Sequence, residues 1–306
     1  MNSEFELIRE YFDRPARNAA LGVGDDAALL RPAAGMELAV STDMLIEGRH
    51  FRAGAAPRAL GHKALAVNLS DLAAMGAAPR WATLAISLPA ADRNWLAGFA
   101  EGFFALAGRF GVDLVGGDTT RGPLSLCITV LGEVPTGQAL RRDGARAGDD
   151  IWVSGELGGA ALGLARPGVA AAAKRLDEPE PRVELGQRLR GLASAAIDVS
   201  DGFAQDLGHI LERSGAGAVV QYERLPKFRI DDAELEKQCV LSGGDDYEIV
   251  FTAAQDRRSA IETLAKELGL ALSRVGSIQE GDARLLLLDK NEKPLAAAPG
   301  FDHFRT

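Results

Sequence analysis

Residues 58–88 read RALGHKALAVNLSDLAAMGAAPRWATLAISL. Leu65, Leu69, Leu72 and Met75 recur at spacings of four, three and three, which predicts a helix over 58–76. From Trp81 to Leu88 the apolar residues alternate in the manner of a strand. The same alternation of elements extends to both sides. Upstream, Glu37–Thr42 (ELAVST) predicts a strand that ends at Asp43. Downstream, Trp95, Phe99, Phe103 and Leu106 form one helical stripe within Asp92–Phe110. Asp113–Val115 then leads into Gly116-Gly117-Asp118, and Leu124–Val134 reads as a long strand.

Residues 135–150 (PTGQALRRDGARAGDD) interrupt the pattern with proline, glycine and charge, which predicts a domain junction. The expected domains are 1–137 and 138–306. The second half restarts with strand Ile151–Ser154 and an alanine-rich helical stretch, followed by a polar segment at Asp177–Pro181. Ala196–Val199, Val219–Tyr222, Glu248–Thr252 and Arg284–Leu288 read as strands. Phe203–Arg213 and Arg257–Leu268 read as helices. The class is α/β, with a coarse strand–helix alternation in both halves.

Composition bounds the rest. A chain of 306 residues with 47% apolar content can build two cores. Aromatics are only 6%, which favours close helix–sheet packing. A net charge of −9 argues against nucleic acid as partner. It still allows small phosphorylated ligands if a cation mediates. Cys127 and Cys239 lie in apolar runs outside any CxxC, so buried free thiols and a reducing cytoplasm are expected. MNSEFELIRE has no signal-peptide core, and no apolar run reaches the length of a membrane span.

The acids recur at strand ends and glycine loops, where α/β folds place ligand sites. Asp25 and Asp26 follow Gly24, Asp43 closes STD, and Asp118 closes GGD. Asp198 and Asp201 lie in DVSDG, and Asp245 and Asp246 in GGDDYE. Each one alone could be a cap or turn residue. Asp71 differs, because it sits in an otherwise apolar helix and shares a face with Asn68. An ionised carboxylate without a partner there would cost several kcal/mol. Taken together, Asp26, Asp43, Asp71, Asp118 and Asp198 suit a hard divalent cation, with Ser41, Thr42 and Ser200 as neutral oxygens. There is no His/Cys cluster at zinc spacing, so Mg²⁺ with phosphates is favoured. There is also no GxxxxGK[ST] loop and no HRD or DFG set. Arg141, Arg142 and Arg146 are either phosphate contacts or a solvated basic turn.

GVGDDAALL, STDMLIEGRHF, NLSDLAAMGAAP, GGDTTRG, DVSDG, GGDDYE and GFDHF occur in this order and span 22–304. Together they closely resemble the thiamine-monophosphate kinase family, within the superfamily of aminoimidazole ribonucleotide synthetase and selenophosphate synthetase. The resemblance implies a two-domain fold with mixed sheets flanked by helices, homodimerisation through the N-terminal domains, and ATP-dependent conversion of thiamine monophosphate to thiamine diphosphate. It implies several Mg²⁺ ions on Asp26, Ser41, Thr42, Asp43, Asp71, Asp118, Asp198 and Asp201. ATP contacts would come from Gly117, Asp118, Arg142 and Ser200. His50, Glu248 and Phe301 would line the acceptor site. The chain departs from the family pattern at Arg49, Asp245 and Phe301, the last standing where Trp is frequent.

The acceptor is itself a phosphate, largely ionised at neutral pH because its second pKa is about 6. No general base is then needed, which suits a chain with only four histidines. The rival readings are another ATP-using enzyme of the superfamily and a non-catalytic Mg-nucleotide-binding homologue. Against the first, the chain has neither an N-terminal reactive Cys nor a C-terminal Cys. Against the second stands the near-complete acid set.

Overall fold

The computed structural model describes residues 4–298, 300 and 301. The chain divides into two compact units. The first runs to Gly137 except for Ala73–Gly76, which group with the second unit from Gln138 onward.

In the first unit, α1 (Glu4–Leu7) widens into a turn over Ile8–Phe12. That segment seats Leu7, Tyr11 and Phe12 in the core, with the Phe12 ring edge-on to Phe99. The short strands β1 (Ala19–Leu21) and β2 (Leu29–Leu30) pair antiparallel and flank the Asp25–Asp26 loop. The chain then runs through β3 (Met36–Ile46), α2 (Pro57–Ala74), β4 (Ala78–Leu88), α3 (Arg93–Phe110), β5 (Asp113–Arg121) and β6 (Ser125–Pro135). These strands form one sheet in the order β3–β6–β4–β5. β4 and β5 are parallel, joined by α3 as a crossover, and the other neighbours are antiparallel.

Local chemistry sets the helix ends. Proline opens α2, where its missing N–H is no loss. The Asp92 carboxylate caps α3 by accepting from the N–H groups of Asn94 and Trp95, and Gly111 closes that helix in the left-handed region. α2 and α3 approach closely enough that two glycines become obligatory. A Cβ at Gly61 would lie 2.1 Å from the Phe99 carbonyl oxygen, and one at Gly102 would lie 1.8 Å from that of Arg58.

The two faces of this sheet differ. Leu45, Leu84, Ile86, Leu126, Ile128 and Val130 are buried and form the covered face. The alternate residues Met36, Leu38, Val40, Met44 and Ile46 of β3 are exposed. Leu131, Thr129 and Cys127 lie opposite Val40, Thr42 and Met44 on the same face.

The second unit contains β7 (Asp150–Ser154), α4 (Gly159–Ala165), α5 (Ala170–Asp177), α6 (Val183–Leu189), β8 (Ala195–Asp198), α7 (Phe203–Ser214) and β9 (Gly217–Gln221). It continues with α8 (Ala233–Ser242), β10 (Ile249–Ala253), α9 (Arg258–Leu268), β11 (Leu272–Gln279), β12 (Leu285–Leu288) and β13 (Pro294–Leu295). Its sheet runs β13–β12–β9–β11–β7–β10–β8, with β9 and β12 parallel and the other neighbours antiparallel. Ile151, Val153, Ile197, Val250 and Val275 meet Phe203, Leu207 and Ile210 of α7 in one core. The expected α/β class with mixed sheets and flanking helices holds.

Several expectations are corrected. The strand expected to stop at Asp43 continues to Ile46, and β5 runs through the glycines to Arg121. Asp43 and Asp118 therefore lie inside strands, because pairing with β6 and β4 carries both strands onward. α2 ends at Ala74 ahead of left-handed Gly76, so Met75 is exposed rather than part of the core stripe. Cys239 is buried, and burial pushes its thiol up to about 11. Cys127 is only partly buried, since it falls on the open face of the first sheet. α8 and β11 carried no clear sequence signal. Among the described residues, no helix is long and apolar enough to cross a membrane.

Candidate functional site

The covered face of the first sheet carries the best-formed polar cluster. Ser41 and Asp43 alternate along β3 and face the same way as buried Leu45. The Ser41 hydroxyl donates to Asp71 Oδ2 at 2.5 Å. The Asp43 backbone N–H donates to Asn68 Oδ1 at 3.0 Å, while Asn68 Nδ2 donates to the Ala64 carbonyl one turn earlier. Asn68 is fully buried in α2, so the polar face predicted from the three-residue spacing does point inward. These contacts hold Asn68 and Asp71 of α2 against Ser41 and Asp43 of the edge strand β3.

Thr42 projects from the opposite face, where its hydroxyl lies 2.8 Å from that of Thr129. Asp118 is in register with Ala85, which lines that same open face. Asp43 and Asp118 stand on the two outer strands of the sheet, about 14 Å apart at three strand spacings. One chain's sheet therefore separates them, although the sequence grouped them. Gly117 has φ +149°, and a Cβ there would lie 1.8 Å from the Leu84 carbonyl oxygen, so no other residue fits beside Asp118.

Asp26 is exposed in the loop between β1 and β2, and its N–H donates to Asp25 Oδ1 at 2.9 Å. Asp25 thus shapes the turn and leaves the Asp26 carboxylate presented to solvent. His50 uses Nδ1 to accept the Ile46 N–H at 3.0 Å, which fixes the orientation of its ring.

In the second unit, Asp198 is the buried last residue of β8, and Ser200 and Asp201 follow in the turn before α7. Sequence reasoning missed the residue that shapes this turn. Asp206 in the first turn of α7 accepts the N–H groups of Ser200, Asp201 and Gly202, each at 3.1 Å, on one carboxylate oxygen. Three convergent amides form a nest that would otherwise attract an anion. Burial pushes the Asp206 carboxyl up to about 7, against the pull of these donors. The signal lay in DVSDGFAQD, where an acid occupies the buried stripe of an amphipathic helix.

The remaining residues fall in different settings. Arg142 is exposed, with its carbonyl held by the Ser214 hydroxyl. Arg141 pairs with Asp143 at 2.5 Å. Glu248 is buried, accepting from the Ser154 hydroxyl at 2.6 Å and from Arg182 through both oxygens. Its neighbour Asp246 accepts the N–H groups of Gly158 and Ala160 at the start of α4. Phe301 is 43% exposed, and its N–H donates to the Asp201 carbonyl at 3.0 Å. Phe304 lies outside the described residues.

Among the described residues, no three metal-binding side chains gather closely enough to hold an ion by themselves. That still fits Mg²⁺, which usually takes one or two carboxylates and completes its shell with water and phosphate oxygens. The donor set consists of hard oxygens, as that ion requires.

Comparison with known proteins identifies the chain. Residues 24–134 match the family AIR synthase related protein, N-terminal domain, and residues 146–286 match AIR synthase related protein, C-terminal domain. The thiamine-monophosphate kinase of Salmonella typhimurium is 44% identical over 99% of this chain and 98% of its own length. The crystal structure of the thiamine-monophosphate kinase of Stenotrophomonas maltophilia K279a is 48% identical, with TM-score 0.84, covering 90% of this chain and 92% of that one. A second structure, AaThiL complexed with AMPPCP and TMP, is 28% identical, with TM-score 0.77, covering 92% of each chain. With both halves matched and near-full-length relatives above 40% identity, the chain belongs to the thiamine-monophosphate kinase family.

Proposed function

We propose that the chain transfers the γ-phosphoryl group of ATP directly, in line, to the phosphate of thiamine monophosphate. The observation that carries this reading is the Ser41–Asp71–Asn68–Asp43 cluster, a set of hard oxygens and an amide built into an otherwise apolar sheet–helix interface. Mg²⁺ would be held by Asp26, Ser41, Thr42, Asp43, Asp71, Asp118, Asp198 and Asp201. When bound, it would neutralise charge between two polyanions and orient the phosphates. Gly117, Asp118, Arg142 and Ser200 would meet ATP. Because Asp206 occupies the nest at Ser200–Gly202, those amides are not open to a phosphate, and the Ser200 side chain is what the turn offers. The acceptor phosphate is already ionised, so no side chain has to remove a proton. His50 and Phe301 would line the acceptor side, with the Phe301 ring facing the cationic thiazolium. Glu248 would act there through Arg182, which its oxygens hold in place.

The domain division of the reading is 1–137 for metal and ATP phosphates and 138–306 for the rest of both substrate sites. The open apolar face of β3 and β6 supports a homodimer in which that face meets the same face of a second chain. Exposed Val40, Met44 and Ile46 in one stripe form a patch that soluble monomers avoid. Thr42 and Asp118 lie on this face, so their role depends on the pairing. A cytoplasmic location goes with ATP and a reduced thiol pair.

The test is to incubate the protein with ATP, Mg²⁺ and thiamine monophosphate and to measure ADP and thiamine diphosphate. Stoichiometric formation of both is expected. ADP that appears only with a different acceptor would refute the reading.

A further inference from the structure

The C-terminal end of the described chain is tied to the turn that carries Asp201, and one side chain makes the tie. Gln205, in the first turn of α7, donates through Nε2 to the Phe301 carbonyl at 3.2 Å and to Asp201 Oδ2 at 3.4 Å. The Phe301 N–H donates in turn to the Asp201 carbonyl at 3.0 Å. Gly300 lets the strap lie this close. A Cβ there would stand 2.6 Å from the Asp201 carbonyl oxygen and 2.6 Å from Gln205 Oε1. The peptide at Phe301 is thus held from both sides, and the residue as a whole remains 43% exposed.

We propose that Gln205 is a positioning residue for the acceptor. It fixes the Phe301 ring where the substrate's cationic ring would meet it, and it registers that ring against Asp201. The proposal rests on the reading of Phe301 as an acceptor contact given above. The physical reason is that an exposed aromatic on an unanchored strap would have to be ordered at the moment of binding, and that ordering cost reduces affinity. The amide is suited to the task because its NH₂ group has two donors, enough for a carbonyl and a carboxylate together. A glutamate would offer no donor and would repel Asp201. A methionine keeps the length and the apolar stem and removes both hydrogen bonds.

The experiment is steady-state kinetics on the full chain for Gln205→Met, Gln205→Glu, Phe301→Ala and the double variant Gln205→Met/Phe301→Ala. Gln205→Met is expected to raise the KM for thiamine monophosphate about 5-fold, the loss of one to two modest hydrogen bonds. The KM for ATP should stay within about twofold, and thermal stability should be unchanged, because Asp206 still holds the turn before α7 through the Ser200, Asp201 and Gly202 N–H groups. Gln205→Glu should in addition raise the Mg²⁺ concentration needed for half-maximal rate. Phe301→Ala should raise the acceptor KM at least as much, and in the double variant the two effects should not add. An unchanged acceptor KM in Gln205→Met, with a raised one in Phe301→Ala, would overturn the proposal alone. An unchanged KM in Phe301→Ala would overturn the reading of Phe301 and the proposal with it. Additive effects in the double variant would show that Gln205 acts independently of Phe301, and would also overturn it.

Discussion

Asp71 shows how a single buried acid becomes informative. In a helix that is apolar on most sides, its carboxylate finds the Ser41 hydroxyl, while Asn68 three residues earlier anchors the backbone of Asp43. Asp71→Asn keeps the shape and a hydrogen-bond acceptor for Ser41 but loses the charge. We therefore expect the variant to fold with an unchanged melting temperature and to lose kinase turnover by about three orders of magnitude, a loss of about 4 kcal/mol in transition-state stabilisation. Near-normal turnover at limiting Mg²⁺ would count against a metal role for this cluster. The Asp25–Asp26 pair makes a second comparison. Asp25 accepts its neighbour's N–H, and Asp25→Asn keeps an acceptor there, so it should leave the Mg²⁺ dependence of the rate unchanged, whereas Asp26→Asn should shift it. Equal shifts in a Mg²⁺ titration of both variants would remove that distinction.

At the level of elements, the contact between α2 and α3 depends on glycine. Gly102→Ala would force a methyl group into the Arg58 carbonyl and should cost about 1–3 kcal/mol, read as a lower urea midpoint. The start of α4 supplies a pH-dependent case. Asp246 accepts the N–H groups of Gly158 and Ala160, and burial raises its pKa to about 8, against the pull of those N–H groups. The folded state therefore keeps a proton that the unfolded chain releases near its ordinary value of 3.8. Stability from this group is full below that value and is lost as pH rises towards 8. Asp246→Asn carries no such proton, so its melting temperature should fall less than the wild type's between pH 5 and 8. Parallel melting curves across that range would contradict the assignment.

For the whole molecule, the open face of the first sheet is the feature that a lone chain leaves unexplained. Val40→Asp places a charge in the middle of the exposed apolar stripe without touching the covered core. If two chains pair there, the variant should weaken association roughly 100-fold, and light scattering after size exclusion should report half the mass. Activity should fall with the mass, because Thr42 and Asp118 share that face. A monomeric variant with full turnover would separate the catalytic site from the pairing.

Much of this was set by local pattern. The helical leucines of α2, the Phe99–Phe103–Leu106 stripe of α3 and the alternation of β4 follow from the 3.6- and 2-residue periods, which depend only on backbone geometry. The candidate acids were also visible, since Asp beside glycine in an apolar context stands out in one dimension. The tertiary structure decided what periodicity cannot express. Ladder pairing with β6 and β4 carried β3 and β5 past Asp43 and Asp118, and the side-chain alternation within the sheet put Ser41 and Asp43 on one face and Thr42 and Asp118 on the other. Asp206 escaped notice because its partners are backbone amides of an adjoining turn, and Gln205 because its partners are the Asp201 carboxylate and the carbonyl of a strap 96 residues away. A sequence records which donors and acceptors exist, but only the folded chain decides which of them come within about 3 Å of one another.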